Sequence, residues 1–231
     1  MSTLIAITGG IGCGKSIVSR LLRVMGYAVY DCDQQAKVLM EQDKELRQAL
    51  IAAFGASTYY PEGGINRPYL ASRIFNDPAA LERMNSLVHP AVARDLQRWH
   101  KVQDIILAKQ EATLAKQQKA EQREPQDAMQ IGLQTAELGG CSNTKHTCCF
   151  YESAILFESG FDSLADHIWS VSAPAELRIE RCLFRDRTTR EKVEARMASQ
   201  LPQEEKDRRA NVVIYNTPER SIIAQVRAAL L

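Results

Sequence analysis

The sequence predicts an α/β fold built on a parallel sheet of about five strands flanked by helices. Three observations predict it. Short apolar runs, bounded by glycine or polar residues, recur along the chain as expected for strands buried on both faces. Apolar residues at helical spacing fill the interval between the first two runs. The first run also empties into a glycine-rich loop that a helix follows directly.

Leu4 to Thr8 is the first strand, stopped by Gly9-Gly10. From Lys15, the apolar residues Ile17, Val18, Leu21, Leu22 and Met25 recur at helical spacing, and Gly26 stands where a C-terminal cap belongs. Tyr27 to Tyr30 is the second strand, ending at Asp31. Strand, loop, helix and strand make a βαβ unit, whose functional loops lie at the carboxyl ends of the strands. Cys148 to Tyr151, Ile168 to Ser172 and Val212 to Tyr215 supply three further strands. Residues 34 to 107 read as a helical lobe with helices such as Lys44 to Phe54 and Ala79 to Val88, and His89 before Pro90 marks a helix end. Residues 108–145 differ: seven Gln fall between Gln110 and Gln134, with no aromatic residue, so the stretch reads as a polar insertion, a solvated helix or a mobile excursion. A tolerated surface insertion and a partner-binding arm both fit it.

The domain reading follows: residues 1–33 and 146–231 form a nucleotide-binding core, and 34–107 a substrate lobe. Composition is that of an ordinary globular protein, 45% hydrophobic and 25% charged. A net charge of +1 gives no global field toward nucleic acid or an anionic membrane. No apolar stretch is long enough to cross a bilayer, and the N-terminal run lacks the basic start of an export signal. Six cysteines are too sparse for a disulfide scaffold, so reduced thiols and a cytoplasmic location are expected.

Gly9-Gly10-Ile11-Gly12-Cys13-Gly14-Lys15-Ser16 fits G-x-x-x-x-G-K-[ST] at every fixed position, between the right flanking elements. Its backbone N–H groups can surround phosphates above a helix N-terminus. Lys15 would bridge the β- and γ-phosphates, and Ser16 would hold Mg²⁺. The loop establishes nucleoside triphosphate binding but not the fate of the γ-phosphate; with the aspartates and arginines described next, the fold-class expectation is a P-loop nucleotide kinase fold with a helical substrate lobe and a helical flap. An Asn-Lys-x-Asp guanine-reading motif and a Leu-Ser-Gly-Gly-Gln signature are both absent, which weighs against a GTPase switch and an ABC-type ATPase. Asp31-Cys32-Asp33 brings two carboxylates to the strand end facing the loop, on one side of the chain while the extended geometry lasts. Asp33 is assigned to the acceptor hydroxyl as a base, and Asp31 to Mg²⁺, its water shell or the lysine. The competing reading makes Asp33 a helix cap.

Between Glu176 and Arg209 lie eight Arg and two Lys against eight acidic residues. Arg178, Arg181 and Arg185 share one helical face, so residues 176–209 read as a flap closing over the triphosphate. A plain solvated helix also fits. His89 alone is more often structural than a substrate contact. Cys141, His146, Cys148 and Cys149 match no regular zinc spacing. Cys13 reads as a tolerated small residue, open to oxidation if the helix N-terminus favours its thiolate. Trp99 and Trp169 read as core or interface residues.

The ordered set resembles the dephospho-CoA kinase family. Ile7 through Ser16, Asp31-Cys32-Asp33 with Lys37, Arg67 with Leu70 and Phe75, and Leu87-Val88-His89-Pro90 carry the resemblance. So do Glu152 through Glu158, Arg181, Arg185, Arg190, Arg196, Gln200 and Ile214-Tyr215-Asn216. It implies ATP- and Mg²⁺-dependent phosphorylation of the ribose 3′-hydroxyl of dephospho-coenzyme A, the last step of coenzyme A synthesis. It implies catalytic roles for Asp33, Lys15 and Arg185, with Arg185 and Asn216 on the nucleotide side. Thr8, Asp31, Asp33, Lys37 and His89 fall on the substrate side. The expected partner is this small molecule, with no nucleic acid or membrane, in a monomer or small homo-oligomer. The rival readings are another small-molecule kinase and a nucleotide-dependent switch.

Overall fold

The computed structural model describes residues 2–74, 77–121 and 147–231. Five strands form one parallel sheet: β1 (Thr3–Thr8), β2 (Val29–Asp31), β3 (Cys148–Glu152), β4 (His167–Ser172) and β5 (Val212–Tyr215). The order is β2-β3-β1-β4-β5, with β1 paired to both β3 and β4. The chain runs one way from β1 to β2 and the other way to β4 and β5. The loop after β1 therefore lies at the point where the order reverses, where open α/β sheets bind ligands.

Helix α1 (Lys15–Val24) buries Val18 and Leu22 against one face of the sheet. Gly26, at φ 92°, ends it, and the Tyr27 N–H returns to the Leu22 carbonyl. Ile5, Ile7, Phe150, Trp169 and Val171 join that cluster, so Trp169 is core. The opposite face carries Leu4, Ala6, Cys149 and Tyr151, packed against α2 (Cys32–Gln42), α3 (Lys44–Phe54) and α5 (Pro78–Glu121). Trp99 sits at the edge of this cluster with its ring against Tyr30. Helix α4 (Arg67–Ile74) adds Leu70. Helices α6 (Ala175–Asp186), α7 (Arg190–Ala198) and α8 (Gln203–Arg209) lead back to β5, and α9 (Ile222–Ala229) closes the chain.

Two sequence expectations change here. The helix predicted to end at His89 runs on through Pro90 to Glu121. Proline costs α5 one backbone hydrogen bond, but Val88, Ala91, Val92 and Leu96 are buried around it, and that packing holds the helix. The extended geometry does not reach Asp33: β2 stops at Asp31, and Asp33 lies in the first turn of α2. Residues 108–121, the first part of the polar stretch, are helical. Residues 122–146, with Cys141 and His146, lie outside the described residues, as does Phe75. No helix among the described residues is long and apolar enough to cross a membrane.

Candidate active site

The loop from Gly9 to Ser16 curls because its glycines adopt conformations and contacts closed to other residues. Gly14 has φ 97°, and a Cβ there would lie 2.0 Å from Asn216 Nδ2. One on Gly10 would meet the Arg178 guanidinium at 2.1 Å. Side chains from distant parts of the chain fasten the loop. The Gly10 N–H donates to Gln203 Oε1 at 2.8 Å and the Ile11 N–H to Gln200 Oε1 at 2.9 Å. Arg178 Nε donates to the Ile11 carbonyl at 2.9 Å, and Asn216 Nδ2 to the Cys13 carbonyl at 2.8 Å. Arg181 reaches the Asn216 carbonyl at 3.1 Å. Lys15 Nζ donates to the Gly9 carbonyl at 2.9 Å.

A cavity of about 550 Å³ opens inside the loop. Gly12, Gly14, Lys15 and Ser16 line it from the loop, Arg181 and Arg185 from α6, Gln200 from the segment after α7, and Asp33 and Glu152 from α2 and β3. Glu152 ends β3 as Asp31 ends β2, and the two are paired in register. Its carboxylate accepts from Ser19 Oγ at 2.6 Å. Burial pushes the Glu152 carboxyl up from its ordinary value, against Ser19 and Lys15, which draw it down. Asp33 keeps a solvent-exposed edge, yet the protein around its carboxyl also raises its pKa, while Lys15 opposes the rise. A second cavity of about 210 Å³ lies on the other side of Asp33, between α2, α5 and the segment after β3. Asp33 lines both.

This arrangement places cations and loop N–H groups on one side of a carboxylate and an apolar hollow on the other. That layout suits phosphoryl transfer to a hydroxyl. A family model for dephospho-CoA kinase matches residues 3–117 and 134–221. The chain belongs to the dephospho-CoA kinase family. It is therefore a kinase acting on a hydroxyl group. A dephospho-CoA kinase of Porphyromonas gingivalis is 34% identical over 96% of this chain and 90% of its own length. The crystal structure of TT1252 from Thermus thermophilus superposes with a TM-score of 0.68 at 29% identity, covering 99% of this chain and 96% of that one. A dephospho-CoA kinase from Campylobacter jejuni shares the fold, at TM-score 0.60 and 21% identity over 100% of this chain and 94% of that one. The stretches matched to the dephospho-CoA kinase model leave out residues 118–133, inside the polar insertion.

Gly12, Gly14, Lys15, Ser16, Asp33 and Arg185, singled out from the sequence of this dephospho-CoA kinase relative, meet at the larger cavity with Ile11. His89 lines the smaller one, its ring edge against Phe161 with centroids 5.7 Å apart. Burial draws its imidazole pKa down, which favours the neutral ring. Asn216 is buried behind the loop and holds it from outside. Asp31, not Asp33, is the helix cap: its Oδ1 accepts from the Gln34 N–H at 2.9 Å. Thr8 is wholly buried at the end of β1 and lies in neither cavity wall. Lys37 is exposed one turn along α2 and acts on Asp33 only through its field. Arg185 turns its guanidinium to Asp186, at 2.7 Å, while Arg181 lies closer to the loop. Cys13, read as a tolerated small residue, is fully buried in the core beneath the loop.

Glu152 and Gln203 were not singled out as site residues. Glu152 could have been found by applying the strand-end argument to β3 as well as β2. Gln203 meets Gly10 across 193 residues, and no local pattern announces such a contact.

Proposed function

We propose that this kinase moves the γ-phosphoryl group of ATP to the ribose 3′-hydroxyl of dephospho-coenzyme A, with Asp33 as the base on that hydroxyl. The observation that carries this reading is the position of Asp33 in the walls of both cavities. The loop backbone and Lys15 bind the triphosphate in the larger cavity, with Arg181 and Arg185 facing the transferring charge. An acceptor reaching in from the smaller cavity meets Asp33 between them. The Asp33 carboxylate takes the hydroxyl proton as the oxygen attacks phosphorus, and ADP leaves. Lys15 follows the negative charge to the bridging oxygen. Helices α6 to α8 exclude water from that side.

Mg²⁺ fits the residues present. Ser16, Asp33 and Glu152 bring hydroxyl and carboxylate oxygens to one cavity, and carboxyl groups partly desolvated there would be relieved by a divalent cation. Among the described residues no three acidic, histidine or cysteine side chains converge as a complete metal cage. Ser16 would hold the ion in this cavity, whereas Asp31, the other expected holder, lines neither cavity and caps α2. When bound, it neutralises phosphate charge in the transition state. The five described cysteines are free thiols, and the proposed setting is the reducing cytoplasm, with the acceptor as the small-molecule partner.

The test follows ATP consumption and the mass of dephospho-coenzyme A together. The wild-type chain should add one phosphoryl group to that acceptor, and Lys15→Ala should abolish most transfer. Asp33→Asn should lower kcat ~10²–10⁴-fold with little change in ATP affinity. Equal losses in kcat and ATP affinity would remove the base role.

A further inference from the structure

The first two peptide units of the phosphate loop are fixed by two side chains that follow α7. The Gly10 N–H shares a peptide with the Gly9 carbonyl, and the Ile11 N–H shares the next one with the Gly10 carbonyl. Both units are trans, so in each the N–H and the carbonyl point opposite ways. Both N–H groups are taken by glutamines: Gly10 donates to Gln203 Oε1 at 2.8 Å and Ile11 to Gln200 Oε1 at 2.9 Å. Both carbonyls are thereby turned from the glutamines, and there they meet the same group. Lys15 Nζ donates to the Gly9 carbonyl at 2.9 Å and to the Gly10 carbonyl at 3.4 Å. The following peptide is set the other way round. Its Ile11 carbonyl accepts from Arg178 Nε at 2.9 Å, so its Gly12 N–H turns away from α6.

Gln203 cannot be reversed end for end. Its Nε2 donates to Asp207 Oδ1 at 2.7 Å, and to Ser170 Oγ and the Val171 carbonyl, each at 3.2 Å. A reversed amide would set its oxygen against a carboxylate and a carbonyl, and its NH₂ against an N–H. Asp207 is held in turn by the Ser170 and Ser172 hydroxyls at 2.6 and 2.7 Å. The oxygen offered to Gly10 is therefore fixed by β4 and α8 together, in the interior. Gln203 lines neither cavity, so its effect on a nucleotide passes through the loop. Gln200 lines the larger one. A lysine chain has many rotamers, and one held in place before its ligand arrives loses less freedom on binding.

We propose that Gln203 and Gln200 are positioning residues for Lys15: by orienting the Gly9–Gly10 and Gly10–Ile11 peptides, they aim two carbonyls at its ammonium and hold it ready for the triphosphate. The proposal rests on the reading of Lys15 as the cation that meets the phosphates. It adds that the lysine's place is set from α8, at the far end of the chain from the loop.

Calorimetric titration with a non-hydrolysable ATP analogue and Mg²⁺ tests this without an acceptor. Gln203→Met keeps the length of the side chain but gives Gly10 only a weak sulfur acceptor. It should weaken binding about tenfold, on the scale of one buried hydrogen bond. Gln203→Glu keeps an oxygen for Gly10, and a carboxyl placed against the Asp207 carboxylate retains a proton to share with it, as the amide does. It should bind within about threefold of wild type. A role in packing alone predicts the reverse order, because Met fills the space without burying a second carboxyl. In a Lys15→Ala background, Gln203→Met should change affinity less than about twofold, because the group it positions is gone. Where that background binds too weakly to titrate, the order of the Met and Glu variants decides alone. The proposal falls if Gln203→Met binds like wild type, binds better than Gln203→Glu, or loses the same factor with and without Lys15. If a Gln203 variant fails to fold, Gln200→Ala enters the same cycle with the same criteria. A Lys15→Ala protein that binds the analogue as tightly as wild type overturns the reading of Lys15 instead.

Discussion

Glu152 and Asp33 line the larger cavity together with Lys15, and the surrounding protein holds both carboxyl groups above their ordinary pKa, desolvation being the first cause. A carboxyl whose folded pKa is raised binds more protons in the native state than in the unfolded chain. Stability therefore falls as pH rises from the ordinary carboxylate value through the raised one. Glu152→Gln removes one such group while keeping an acceptor for Ser19. Its melting temperature should exceed wild type at neutral pH, by a few degrees (~2–4 °C per kcal/mol for a chain of this size). The gain should vanish below the ordinary carboxylate range, where both proteins are neutral at this position. Melting curves across pH check the sign, and a variant less stable than wild type at pH 7 would contradict it. The same two residues show what the sequence conveys about a site. Asp33 was legible because a carboxylate follows a strand beside a phosphate loop. Its place within the first helical turn was not, because the sequence offered Asp33 as the cap of the next helix and Asp31 takes that role instead.

At the scale of elements, α6 to α8 act less as a free flap than as a frame bolted to the phosphate loop. Gln203 joins Gly10 to Ser170, Val171 and Asp207, and Asp207 in turn accepts from Ser170 and Ser172. Lys206 is fully buried, with Nζ donating to the Ala154 carbonyl at 2.7 Å and to Glu158 at 2.9 Å. Burial lowers the lysine's pKa, and Glu158 opposes this. The two ends of the pair are not equivalent, because the Glu158 side chain is 25% exposed and Lys206 not at all. Glu158→Gln strands a buried cation and should cost about 3 kcal/mol, while Lys206→Met removes the cation with its desolvation penalty and should cost roughly half that or less. Urea unfolding of both variants measures the difference, and equal costs would mean that the pair is not held in the interior. Helical periodicity marked α1 and α3 correctly, since each pattern is local. It could not show that α5 passes Pro90, because what holds α5 there is packing against α2, α3 and α4 in a shared core, supplied by residues remote from Pro90 in sequence.

For the whole molecule, the larger cavity is assembled from Ile11, Lys15 and their loop neighbours, Asp33, Glu152, Ala154, Arg181, Arg185 and Gln200, and no single stretch of chain can form it alone. The two core clusters lie on opposite faces of the sheet, and a third, around Ile179, Cys182 and Val193, lies within α6 and α7. Only the folded arrangement of all three presents the loop, the acidic wall and the arginines together, so ATP binds the native state and not the unfolded chain. Linkage then gives the magnitude: a ligand at 100 times its Kd adds ~2.7 kcal/mol, which for a chain of this length raises the melting temperature by ~5–11 °C. Lys15→Ala should lose most of this shift at the same ATP concentration, because it weakens binding without touching the cores. Asp33→Asn should keep it if Asp33 acts on the acceptor, as proposed. Thermal melts of the three proteins with and without ATP and Mg²⁺ separate the two functions on one scale. If Asp33→Asn lost the shift as fully as Lys15→Ala, Asp33 would belong to the nucleotide side of the site and the division of labour across it would fail.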